Sequence, residues 1–164
     1  MLILQETARI VLIGVGATVV LDVWLSLLKR MGVPTLNFAF IGRWVGYLLR
    51  GRFKQPSIGK AQPVAGELAL GWFTHYAVGV VFAGLLVCLQ GTAWTKDPSI
   101  LPAIAVGLFT VLVPLFVMQP AMGAGFAASK TPSPVKSCIR SAVNHTVFGA
   151  GLYVSAVVVE WVAR

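Results

Sequence analysis

Two histidines and two carboxylates in this 164-residue chain stand where ionisable side chains are least expected, inside long apolar runs. Asp22 lies in "TARIVLIGVGATVVLDVWLSLL", Glu67 and His75 in "GELALGWFTHYAVGVVFAGLLVCLQ", and His145, beside Asn144, in the run that begins at Ser141. Gln119 closes a further run. Imidazole titrates near neutral pH, and imidazole with carboxylate can ligate zinc or iron. In a bilayer such groups are costly, about 2.5–3.5 kcal/mol for Asp at a helix centre, and they face the bundle interior along solute pathways and proton relays. The competing reading is interhelical hydrogen bonding worth about 0.6–2 kcal/mol per bond.

The runs themselves define the class. Hydrophobic residues make up 57% of the chain and charged residues 11%, against about 25% charged in a soluble domain; the mean hydropathy is +0.85. The expected fold is all-α: an integral-membrane four-helix bundle forming a single transmembrane domain over residues 1–164, with spans at about 7–28, 66–89, 101–118 and 141–162. The runs are continuous and do not alternate, which argues against a β-barrel. The first span is too long for a signal peptide, has no A-x-A-like site and is followed by Lys29 and Arg30, so it is expected to stay in the protein.

Ten of the thirteen Lys and Arg residues fall in the connectors between spans one and two and between spans three and four. The positive-inside rule then places both connectors in the cytoplasm and both termini outside, in the periplasm if the membrane is a bacterial inner membrane. In this frame Asp22, Glu67, His75, Gln119, Asn144 and His145 all belong to the cytoplasmic leaflet, and only Arg9 and Glu160 lie near outer helix ends. Trp94 and Trp161 are expected in the outer aromatic belt, and Trp24, Trp44 and Trp72 nearer the inner one. Cys88 and Cys138 fall at opposite faces, so no disulfide is expected between them. No basic stripe interleaved with aromatics marks a nucleic-acid surface.

The connector "NFAFIGRWVGYLLRGRF" is too apolar for a plain loop. Asn37 is an N-cap candidate, and Arg43, Tyr47 and Arg50 share a helical face, as in an amphipathic helix lying in the headgroups. Arg43 and Arg50 are candidates for an anionic lipid or another anion. Along span two, Glu67, Gly71, His75, Gly79 and Ala83 recur every four residues; small residues in such a stripe admit a neighbouring helix or leave room beside the imidazole for a cofactor. H-x₃-G occurs at His75 and again at His145, a faint echo of a parallel repeat. Pro114, with Pro120, Gly123 and Gly125 after it, is expected to break or kink span three.

Several of these segments together resemble a known bacterial family: "GRW" at 42–44, "GW" and "HY" within 71–76, "QPAMGAG" at 119–125, "NH" at 144–145 and "FGAGLY" at 148–153. That family is catalogued as domain of unknown function 2938. The resemblance implies a small multi-pass membrane protein and brings no activity, substrate or cofactor. Where the family often has His after "GRF", this chain has Lys54.

Three functional classes fit the residues. The first is a solute or ion transport component, as a homo-oligomer, with Asp22, Glu67, His75 and His145 binding the solute or relaying protons. The second is a redox or metal module, with His75 and His145 on a haem iron or the same four residues on a non-haem metal; no CxxCH or HExxH motif accompanies them. The third is a non-catalytic membrane partner subunit, and a lipid-modifying enzyme stands behind all three. No catalytic residue is assigned.

Overall fold

Helices account for the architecture that a computed structural model gives for residues 2–164, and no strand occurs among the described residues. They are α1 (Leu2–Arg30), α2 (Phe38–Leu48), α3 (Glu67–Gln90), α4 (Ile100–Phe109), a turn α5 (Gln119–Ala121) and α6 (Pro134–Ala163). Four stretches are long and apolar enough to cross a membrane: Ile3–Arg30, Glu67–Gln90, Ile100–Ala121 and Pro134–Ala163. On α1, Val11, Leu12, Val19, Val23 and Leu27 are all exposed. An apolar face of that length is unusual against water but is the ordinary exterior of a helix in hydrocarbon.

The fourth helix starts at Pro134, well before the apolar run at Ser141. Pro suits a first helical position because it has no N–H to leave unpaired. Hydropathy fades at Lys136 and Arg140, but the backbone hydrogen bonding does not. Span three does not simply kink. After α4 the backbone widens into a π-helical turn over Pro114–Met118, closed by Gln119 N–H donating to the Pro114 carbonyl. Pro114 cannot donate to a carbonyl one turn back, and a wider turn absorbs the missing bond.

The chain forms two compact units. The first comprises Met1–Pro34, Tyr76–Thr110 and Asn144–Arg164; the second comprises Thr35–His75 and Val111–Val143. In the first, α1 runs antiparallel to α3 and α6. Gly14 lies against the backbone of Val80, Gly79 against Thr18, Gly16 against Ser155 and Gly151 against Ala17. Gly107 of α4 meets Gly149 of α6 backbone to backbone. These small residues bring helices within direct contact, which is how apolar helices associate where the hydrophobic effect gives no preference. Ile13, Ala17, Leu86, Phe148 and Leu152 fill the core of this unit. Trp94 joins them, 5% exposed, with its indole N–H on the Ser99 carbonyl at 3.3 Å. It is therefore a core residue and not part of a surface aromatic belt; Trp161, 77% exposed, is at the surface.

In the second unit Asn37 caps α2 as expected, its side-chain oxygen accepting from the Ala39 N–H at 3.0 Å. A Cβ on Gly42 would overlap the carbonyl of Glu67, and one on Gly71 the carbonyl of Phe38, so α2 and the first turns of α3 touch through their backbones. The two connectors pair as well: Gln55 N–H donates to Ala121 O at 2.7 Å, and Ile58 N–H to Met122 O at 3.0 Å. Gly123, at φ +93°, lies under the Pro56 carbonyl, a place and a backbone angle that exclude a side chain. Trp44 is buried here too, its indole donating to Phe53 O at 2.9 Å. Both cysteines are free, and Cys138 Sγ donates to Ala127 O at 3.3 Å.

Candidate functional site

Three side-chain pairs in the first unit link its helices through polar atoms. The Tyr76 hydroxyl of α3 donates to Asp22 Oδ2 of α1 at 2.8 Å. The Trp24 indole N–H of α1 donates to Asn144 Oδ1 of α6 at 3.0 Å. Thr110, capping α4, meets His145 Nδ1 of α6 at 2.8 Å. Asp22 and Trp24 are two residues apart on α1, and Asn144 and His145 are adjacent on α6. The pairs thus form a polar layer to which α1, α3, α4 and α6 all contribute.

The Thr110 hydroxyl also lies 2.6 Å from the Gly107 carbonyl. A hydroxyl has one proton, and a carbonyl can only accept it. The proton of Thr110 therefore goes to Gly107, and His145 donates to Thr110 through Nδ1–H. The neutral imidazole then has its lone pair on Nε2, the atom able to take a proton or accept from a solute. Phe82 and Phe148 pack around this corner, with the Phe82 ring 6.5 Å from the imidazole and 6.1 Å from Phe148.

Glu67, His75 and Gln119 belong to the second unit, where Glu67 has a structural partner. Arg43 grips its carboxylate with two parallel bonds, Nε to Oε2 at 2.8 Å and Nη2 to Oε1 at 2.7 Å. Arg43 Nη1 donates to the carbonyls of Ile58 and Ala61 at 3.1 and 2.9 Å, and Val64 N–H adds a third bond to Glu67 at 2.9 Å. Arg43 is 7% exposed. The guanidinium expected at an anionic headgroup thus holds the chain's own carboxylate, whereas Arg50 is exposed. The hydrogen bond to Glu67 raises the Arg43 pKa above its already high ordinary value. The charge that pair needs from Arg43 is present at every pH below that range and is lost only as strongly alkaline pH passes the raised value.

His75 sits among aromatic rings, its imidazole 4.6 Å from Phe38 and 6.0 Å from Trp72. The glycines beside the two histidines are filled by protein. Gly71 lies against Phe38 and Gly79 against Thr18, while Gly149 lies against Ala103 and Ile104. At Gly71 and Gly79 the stripe on α3 serves close approach of neighbouring segments. Among the described residues no three His, Cys, Asp or Glu side chains gather as a metal set.

Gln119 Oε1 is buried without a hydrogen-bond partner, a state that costs about 1–3 kcal/mol. Gln119→Met, close in length and free of that oxygen, is expected to stabilise the protein by about 1 kcal/mol. Thermal unfolding in detergent measures this, and a lower melting temperature would mean that the oxygen has a partner.

A second polar cluster was not anticipated. In the first unit Arg9 pairs with Glu160 at 2.6 Å and donates to Thr95 O at 3.3 Å. The Thr95 hydroxyl lies 2.9 Å from Thr92 O and 3.2 Å from Glu6 Oε2, two acceptors that share its one proton, and Lys96 lies 3.6 Å from Glu6. The signal was present in the sequence, since Arg9 and Glu160 were the two charges near outer helix ends and of opposite sign.

No curated protein and no solved structure matches the chain. The family model described as "Protein of unknown function (DUF2938)" matches residues 11–159, which takes in every motif of the resemblance and both partners of each pair in the polar layer. The chain belongs to that family.

Proposed function

We propose that the protein is a transport component of a bacterial inner membrane, binding a small polar solute at the polar layer of its first unit, with Asp22 and His145 as the ionisable members. The observation that carries this reading is the layer itself: Asp22–Tyr76, Trp24–Asn144 and Thr110–His145 join four helices through polar side chains within membrane-length apolar stretches. Ionisable groups inside membrane helices are retained for solute or proton handling, and the Nε2 lone pair of His145 supplies a hydrogen-bond acceptor. The basic residues of the two long connectors support a cytoplasmic location for them, with both termini in the periplasm. Four spans are few for a carrier, so the working form is read as a homodimer or larger.

The test is a current measurement on proteoliposomes adsorbed to a solid-supported membrane and challenged with small amino acids, amines and carboxylates. One class is expected to give a transient current, and Asp22→Asn to reduce it about tenfold or more. A panel that gives no current above protein-free liposomes, and no shift in melting temperature, would overturn the proposal.

A further inference from the structure

The second unit carries eight of the thirteen basic residues but only one acid, Glu67, which Arg43 already occupies. Three of those basic residues lie within the five-residue run from Arg50 to Lys54, and Arg50, Arg52 and Lys54 are all exposed. Their backbone is fixed. At the end of α2, Gly51 N–H donates to Leu48 O at 2.9 Å and Arg52 N–H to Tyr47 O at 3.0 Å, with Gly51 at φ +74°. This is a Schellman turn, in which glycine takes the left-handed position. The Trp44 indole then holds Phe53 O, and Ala121 O holds Gln55 N–H. The turn is anchored on both sides while its three cationic side chains point to the exterior. Leu49, 78% exposed, and Phe53, 46% exposed, stand between and beside them.

We infer that this turn is a docking site for the headgroups of anionic phospholipids in the membrane that holds the helices, with Arg50, Arg52 and Lys54 on the phosphates and Leu49 and Phe53 in the acyl boundary. Clustered basic residues beside membrane-spanning helices bind anionic lipid by charge, and exposed apolar side chains alternating with them suit an interface that is half hydrocarbon. A nucleic-acid backbone would match the charges but would leave Leu49 and Phe53 in water. The turn differs from the anion site anticipated on Arg43 and Arg50: Arg43 is spent on Glu67, and Arg52 and Lys54 take its place. The inference holds whatever the polar layer carries.

The experiment is lipid retention by the full-length protein, purified from nanodiscs of equal phosphatidylglycerol and phosphatidylcholine. Wild type is expected to enrich phosphatidylglycerol roughly fivefold, falling with added salt, and the triple variant Arg50→Gln/Arg52→Gln/Lys54→Gln to bring the ratio close to one. These positions are exposed, so the variant is expected to keep the wild-type melting temperature. Leu49→Gln is expected to lower retention with all three charges in place. Equal retention by wild type and the triple variant would overturn the inference. So would stabilisation by inorganic phosphate alone that matches the lipid and ignores Leu49→Gln, or single-stranded RNA displacing the lipid from the wild type at physiological salt.

Discussion

Arg43→Met is expected to destabilise the protein by about 3 kcal/mol or more, the range seen when one member of a buried ion pair is removed. The loss is not the worth of the pair but the cost of what stays behind. The Glu67 carboxylate would keep only the Val64 N–H, and the carbonyls of Ile58 and Ala61 would lose their donor. Those two carbonyls lie on the connector segment that follows α2, so its packing against α2 is expected to loosen first. Glu67→Met is expected to cost less, because Arg43 would retain both carbonyls and the face of the Phe40 ring at 5.3 Å. The double variant Arg43→Met/Glu67→Met is expected to recover part of the loss, since an apolar pair of similar volume carries no desolvation penalty. Unfolding of the four proteins in detergent gives the coupling energy directly. Strict additivity of the two single effects would show that the pair is not an energetic unit.

Two of the motifs that carry the family resemblance, "GRW" and "QPAMGAG", help to build this second unit. In "GRW", Gly42 admits the carbonyl of Glu67, Arg43 holds its carboxylate, and Trp44 ties down Phe53. In "QPAMGAG", Ala121 and Met122 lend their carbonyls to the opposite connector, and Gly123 makes room for Pro56. A run of three or seven letters can be recognised without showing which distant segment each letter serves. The partners of Arg43 are 15 to 24 residues away, across a connector whose path no periodicity encodes. For the same reason Arg43 read as a surface cation from the sequence: helical spacing groups it with Tyr47 and Arg50 but does not say what covers that face.

What was legible is what depends on short range or on the solvent. The four apolar stretches follow from hydrocarbon-facing surface, which every residue reports by itself. The Asn37 cap is a local bond. The small residues along α3 left helix approach and a cofactor slot both open in the sequence, which did not say that Thr18 would meet Gly79. Trp94 misled because an indole near a helix end is compatible with both a membrane interface and a core. The Ser99 carbonyl and the surrounding core residues decide between them, and neither is visible from position alone. Counting turns from the helix ends groups six candidate polar residues, Asp22, Glu67, His75, Gln119, Asn144 and His145, of which Asp22, Asn144 and His145 lie in the polar layer of the first unit. Tyr76, Trp24 and Thr110 were missed because none is ionised near neutral pH, yet each supplies the hydrogen bond that orients one of them.

The orientation of His145 permits a substitution that separates its two nitrogens. His145→Asn places an amide N–H near the position of Nδ1, so the bond to Thr110 and the contact between α4 and α6 are expected to survive. It leaves nothing where Nε2 was. His145→Ala removes both, and Thr110 loses its donor. If His145 only joins helices, stability should follow the Thr110 bond: Asn near wild type, Ala lower by about 1 kcal/mol, and any solute response tracking stability. If Nε2 is the working atom, as the proposed function requires, Asn and Ala are expected to weaken solute binding alike, by about tenfold to a hundredfold, while only Ala unfolds earlier. A wild-type solute response in His145→Asn would remove Nε2 from the mechanism and leave Asp22 as the ionisable centre of the layer.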